Sequence, residues 1–150
     1  AWMLGEHGNG QFALWSHVTF GCLTDKEVEA QTGLKFDRAQ LEQDARMGGY
    51  VTYKGKHCTE YSIANGAVEV IGAIVNDTKL VTPVSTQLDN VYGASGFYSS
   101  LPAVIGKDGV EKVLVPELSD DEIAAWEKSC EHVKGNIDQL DWLKVDARVE

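Results

Sequence analysis

Four histidines, at positions 7, 17, 57 and 132, are the side chains here that can trade a proton near neutrality without a large shift from an ordinary pKa of about 6.5. A general acid-base residue is sought among them first. His7 stands apart, because Gly5-Glu6-His7-Gly8 sets the imidazole between glycines directly after an apolar segment. There the backbone can turn sharply and present the ring to a ligand. His132 sits between Cys130 and Val133 among acidic neighbours and reads as solvated, while His17 and His57 read as surface residues.

Other chemistries find less support. Gly5, Gly8 and Gly10 spell G-x-x-G-x-G with no Lys-Ser or Lys-Thr after it, so no phosphate loop is written. A metal site on Glu6, His7 and a second histidine would need adjacent residues to face one ion, and the i, i+4 histidine pair of helical zinc sites is missing. No G-x-S-x-G elbow supports a nucleophilic serine. Asp120, Asp121 and Glu122 suit the positive end of a helix better than paired-carboxylate catalysis.

The elements that must position His7 follow from pattern. Ala1 to Leu4 read as the end of a strand already inside a fold, as in a piece cut from a longer chain. Asp37 caps a helix of strong helix formers that is expected to stop or bend at Gly48-Gly49. From Thr59 onward Ile63, Ala67, Val70, Ile71, Ile74 and Val75 recur at helical spacing, predicting a buried helix that ends near Asn76. Leu80–Thr86, Phe97–Ile105 and Val110–Val115 read as three antiparallel strands, the last two joined by a turn over Gly106 to Gly109. Ser119 with Glu122 forms a capping box, and Ile123, Trp126, Cys130, Val133, Ile137 and Leu140 make one stripe on the helix that follows. This order is α+β in one domain, an antiparallel sheet packed against long helices, without the strand-helix alternation of a parallel nucleotide-binding sheet.

Composition bounds the partners. Hydrophobic residues make up 43% and charged residues 24%, as in ordinary globular domains. Thirteen basic against 23 acidic side chains leave a net charge of -10, which repels nucleic acid and anionic membrane surfaces. The apolar run from Val68 to Val75 is too short to span a bilayer. Cys22, Cys58 and Cys130 are odd in number and lack C-x-x-C pairing, so they read as reduced thiols, which together with the lack of a charged-then-apolar leader suits the cytoplasm.

Leu4-Gly5-Glu6-His7-Gly8-Asn9 resembles the active-site signature of the L-lactate dehydrogenases, apolar-G-E-H-G-(D or N)-(S or T). Gln11 to Ser16 is similar to the strand that follows it in that family. Lys54-Gly55 with Thr59 and Ile63 is similar to the family's K-G, then T, then an apolar residue four later; Thr82–Thr86 and Ser100–Val110 resemble its strands. The resemblance implies the carboxy-terminal, substrate-side domain of an NAD-dependent L-2-hydroxyacid dehydrogenase. It implies that His7 gives a proton to the 2-oxo oxygen as hydride arrives from the nicotinamide, and takes it back in reverse. Thr59 then lines the substrate pocket, Ile63 packs on the nicotinamide ring, and the protein is a homodimer or homotetramer.

Departures from the pattern are specific. Gly10 stands where the signature has Ser or Thr, Cys58 and Glu60 flank Thr59, and the N-x-Q-F form of Asn9 to Phe12 resembles the branch acting on 2-hydroxyisocaproate as well as the lactate enzymes. The family's G-x-G-x-x-G fingerprint, its histidine-orienting aspartate and its carboxylate-clamping arginine are not written in these 150 residues, and Arg38, Arg46 and Arg148 match none of those roles. The expectation is that the NAD-binding Rossmann domain is absent from this chain and that the piece alone is inactive. A non-catalytic assembly module on the same scaffold, docking through a bare apolar face, is the competing expectation.

Overall fold

A computed structural model describes residues 1–140 of the chain; Arg148 lies outside them. The elements run β1 (Met3–Leu4), β2 (Phe12–Ala13), a short 3-10 turn (Trp15–His17), β3 (Thr19–Phe20), β4 (Leu23–Thr24) and α1 (Asp25–Thr32). They continue with α2 (Arg38–Lys56), α3 (Glu60–Val75), β5 (Leu80–Gln87), β6 (Tyr98–Gly106), β7 (Gly109–Val113) and α4 (Asp120–Asp138). Strands β5, β6 and β7 form one antiparallel sheet with β6 central, and β1–β2 and β3–β4 are separate antiparallel pairs. This is the α+β arrangement the patterning predicts, with each of the three long strands within two residues of its expected bounds.

One contact ties the small pairs to the sheet. On β6, β7 covers Ala103 to Gly106, and Gly5 pairs at Ser100, with Ser100 N–H donating to Gly5 O at 3.0 Å and Gly5 N–H to Ser100 O at 3.3 Å. The segment that carries His7 therefore leaves directly from the sheet. Beneath it Leu4, Phe12, Leu14, Leu101, Trp126 and Cys130 form the core, and Leu101 and Trp126 are wholly buried.

The inner face of α4 differs from the apolar stripe expected. Glu122, Trp126, Ser129 and Cys130 are its buried residues, while Ile137 and Leu140 are exposed. The spacing i, i+4, i+7, i+8 is still one helical face, but two of its four members are polar because they hold other segments.

Two expectations are corrected. Helix α2 runs through Gly48 and Gly49 without a break to Lys56, since an interior glycine costs only about 1 kcal/mol and the flanking residues favour helix. Helix α3 occupies its predicted span but is not buried: Ile63 is 68% and Val75 76% exposed, and Ala73 is its buried residue. It packs on β6, and its apolar side is bare among the described residues. A further helix, α1, was not anticipated, although Thr24 and Glu27 cap it as a reciprocal box and Gly33 closes it at φ 74°. Among the described residues no helix is long and apolar enough to cross a membrane.

Candidate active site

The His7 loop is built around close approaches. Gly5 has φ +91°, a backbone state that side chains disfavour, and a Cβ added there would lie 2.5 Å from Ser129 Oγ. That hydroxyl accepts the Glu6 N–H at 2.8 Å, across 123 residues of sequence. The Glu6 carboxylate turns back and accepts the Gly10 N–H, closing the loop on itself. His7, one residue along, is exposed, and among the described residues no side chain hydrogen-bonds its ring.

The chain downstream of the loop is pinned twice. Ser16 donates its N–H and O–H to the buried Glu122 carboxylate at 2.9 and 2.7 Å. Arg46 Nε on α2 donates to Gln11 O at 2.8 Å and pairs with Glu42, which in turn accepts the Trp15 indole N–H at 3.2 Å. Burial pushes the Glu122 carboxyl up, but its bonds from Ser16 and Ser119 together outweigh this and hold it below the usual carboxylate range. It serves as a charged anchor, a role the helix-end reading of residues 120 to 122 did not foresee.

His7 opens on a cleft of about 560 Å³, walled by Gln11, Arg46, Tyr50, Tyr53 and Thr59. The structure thus brings together His7 and Thr59, which are separated by the whole of α1 and α2. Thr59 is the N-cap of α3, yet its side chain makes no capping hydrogen bond. A threonine there normally spends its hydroxyl on the helix end; here, among the described residues, the hydroxyl has no such partner. Ile63 lies one turn further along α3, exposed and outside this wall. Tyr50 and Tyr53 carry no motif of their own, although with Arg46 their i, i+4, i+7 spacing on α2 is a legible shared face. Arg46 is committed to Gln11 and Glu42.

The remaining histidines do other work. His57 ends α2 in a left-handed conformation with φ 61° and stands edge-on to Tyr53. His17 hydrogen-bonds Ser16 Oγ at 2.8 Å on the surface, and His132 is exposed on α4. Among the described residues no group of three or more His, Cys, Asp or Glu is placed to hold a metal ion. The Glu60 carboxylate beside Cys58 pushes that thiol up, and burial does the same to Cys130, so both are weak nucleophiles.

What this geometry offers is one exposed imidazole at the rim of a cleft that Thr59 also lines, with no carboxylate among the lining residues. It can move a proton to or from an oxygen on a small bound molecule.

Residues 1–142 match the family model described as lactate/malate dehydrogenase, alpha/beta C-terminal domain. The chain is 35% identical over 136 residues to the L-lactate dehydrogenase of Lacticaseibacillus casei, covering 89% of this chain and 42% of that protein. A lactate dehydrogenase from a Medee basin deep-sea metagenome library superposes with a TM-score of 0.86 at 29% identity, over 91% of this chain and 44% of that one. The malate dehydrogenase of Archaeoglobus fulgidus in complex with NADH gives 0.80 at 28%, over 94% and 44%. The chain thus spans less than half the length of these relatives.

Proposed function

Because the chain belongs to the lactate/malate dehydrogenase family and has the fold of its carboxy-terminal α/β domain, we propose that it is the substrate-side half of an NAD-dependent L-2-hydroxyacid dehydrogenase. The reaction is the reversible reduction of a 2-oxo acid such as pyruvate to the L-2-hydroxy acid. The observation that carries this reading is the convergence of His7 and Thr59 on one cleft.

In the reducing direction protonated His7 donates from its imidazolium to the 2-oxo oxygen, which gains negative charge as the carbonyl carbon is reduced. Neutral His7 takes the proton back from the hydroxyl in oxidation. NAD, when bound, supplies or receives the hydride through its nicotinamide. The Thr59 hydroxyl hydrogen-bonds the substrate, and Tyr50 and Tyr53 wall the same cleft.

The residues present fit the nicotinamide end of the cofactor and no more. Ile63, exposed one turn beyond Thr59, offers a flat ring an apolar seat, while the phosphates find no glycine loop here. The rest of NAD is held by a Rossmann domain outside these 150 residues, so this piece is inactive by itself. The protein is a cytoplasmic homodimer or homotetramer, and the bare apolar side of α3 supports its assembly with other polypeptide. The apolar walls Tyr50 and Tyr53 favour a second reading in which the 2-oxo acid is branched, as in 2-oxoisocaproate.

In the full-length protein His7→Asn is expected to lower kcat for NADH oxidation with a 2-oxo acid by about 10²-fold to 10⁴-fold, the usual worth of a general acid. Near-normal turnover would remove His7 from the reaction, and no turnover by the parent protein with any 2-oxo acid would leave the assembly module as the better account.

A further inference from the structure

We infer that Ser129 is a positioning residue for His7, fixing from the last described helix the backbone that aims the imidazole. The inference rests on the role proposed for His7 above.

The placement of Ser129 is hard to explain by packing alone. It is wholly buried on the inner face of α4, between Trp126 and Cys130. An alanine would suit a helix there better, since serine competes for backbone hydrogen bonds and carries a hydroxyl that must find a partner when buried. The hydroxyl finds it in the Glu6 N–H at 2.8 Å, the peptide next to His7. Gly5 is pressed against the same side chain, and a Cβ at Gly10 would lie 3.4 Å from Ser129 Cα. Both ends of the loop from Gly5 to Gly10 therefore rest on this one residue.

The rest of the loop cannot do the same task. The Glu6 carboxylate bonds Gly10 and so closes the loop without locating it on the body of the domain. Gly5 is held at Ser100, but on the sheet side, before the chain turns. The His7 ring has no hydrogen-bond partner of its own among the described residues, so its aim is inherited from the backbone. Ser129 gives that backbone its polar attachment beyond the sheet. Seven residues earlier on the same face, and about 10 Å along the helix, Glu122 holds Ser16. Helix α4 thus splints the His7 segment at both sides, with Trp126 filling the core between the two anchors.

A proton donor misplaced by about 1 Å can lose up to 100-fold in rate, whereas a merely structural serine would cost stability and leave the folded protein's turnover alone. The test compares full-length parent, Ser129→Ala, Ser129→Cys and His7→Asn by steady-state kinetics with a 2-oxo acid and NADH, and by direct NADH binding. For Ser129→Ala, kcat is expected to fall about tenfold, with NADH affinity and KM within twofold of the parent. Ser129→Cys, whose thiol is a weaker acceptor, should recover part of that loss. Should Ser129→Ala not fold, Ser129→Cys must still show a lowered kcat at unchanged KM. Parent-like kcat in the folded serine variants, with His7→Asn impaired, would overturn the positioning role while leaving His7 in place. A parent-like His7→Asn would remove the reading of His7 and this inference with it.

Discussion

Replacing Gly5 by alanine probes the close approach between the His7 loop and α4. A Cβ there meets Ser129 Oγ at 2.5 Å, Ser129 Cβ at 3.1 Å and Gly10 O at 3.3 Å, and none of these is the free end of a flexible side chain. The left-handed φ adds about 1 kcal/mol for any residue with a Cβ. Forcing a methyl into a packed site costs about 1 to 3 kcal/mol more. If the strain is relieved by moving the two segments apart, the Glu6 N–H loses its acceptor at a similar cost of about 1 to 3 kcal/mol. Strain and bond loss are alternatives in part, so the expected destabilisation is about 3 kcal/mol, or roughly 6 to 12 °C in Tm for a domain of this size. Urea unfolding followed by tryptophan fluorescence, with Trp126 fully buried as a reporter, should show a lower midpoint at unchanged slope. Ser129→Ala removes the same hydroxyl, so the double variant Gly5→Ala/Ser129→Ala should fall short of the summed single costs by about 1 kcal/mol or more. A Gly5→Ala change within about 0.5 kcal/mol of the parent, the usual range for inconsequential surface substitutions, would refute this account of the loop, as would strict additivity in the double variant.

Other substitutions test other elements. Gly48→Ala should stabilise by about 0.5 to 1 kcal/mol in the same unfolding assay, because the position is helical and a Cβ there meets nothing within 4 Å. Glu122→Gln should weaken the fold at neutral pH and flatten its acid sensitivity. The folded-state pKa of Glu122 lies below the unfolded one, so its contribution is full above the unfolded value, about 4.3, and is lost as pH falls through the folded value. Stability measured from pH 6 downward should therefore start to drop near pH 5 and fall less steeply in the glutamine variant; equal slopes would contradict the anchor. Lys79→Ala, which breaks exposed ion pairs to Asp77 at 2.6 Å and Glu111 at 2.7 Å, should cost no more than about 1 kcal/mol, and less in high salt.

The parts of the molecule legible in its residues were those written in local pattern. Ser119 and Glu122 marked the start of α4, Asp37 that of α2, and the β-branched runs the three long strands. Glycine spacing around His7 marked the loop, and it holds at an exposed turn on the cleft. What escaped was set by tertiary contact. Gly48 and Gly49 read as a stop because propensity is local, whereas the helix is carried through by the residues on either side. The apolar face of α3 read as buried because periodicity reports which side is apolar and not what covers it. Ser129 reads as background on an amphipathic helix and Glu122 as a helix cap alone, since nothing near them in sequence names Glu6 or Ser16 as partners. Thr24 and Glu27 are different: their box is as readable as that of α4, but no apolar stripe follows it to mark a helix.

The bond between Glu6 and Ser129 also orders events in time. The imidazole is made among the first residues of this stretch, but its backbone anchor emerges from the ribosome 123 residues later. Closing so long a loop is slow and entropically costly, and it is completed only when α4 docks. Until then β1 can pair with β6 while the loop from Gly5 to Gly10 lacks its second attachment, so a nascent or truncated polypeptide lacking α4 holds His7 without the contact that fixes its backbone.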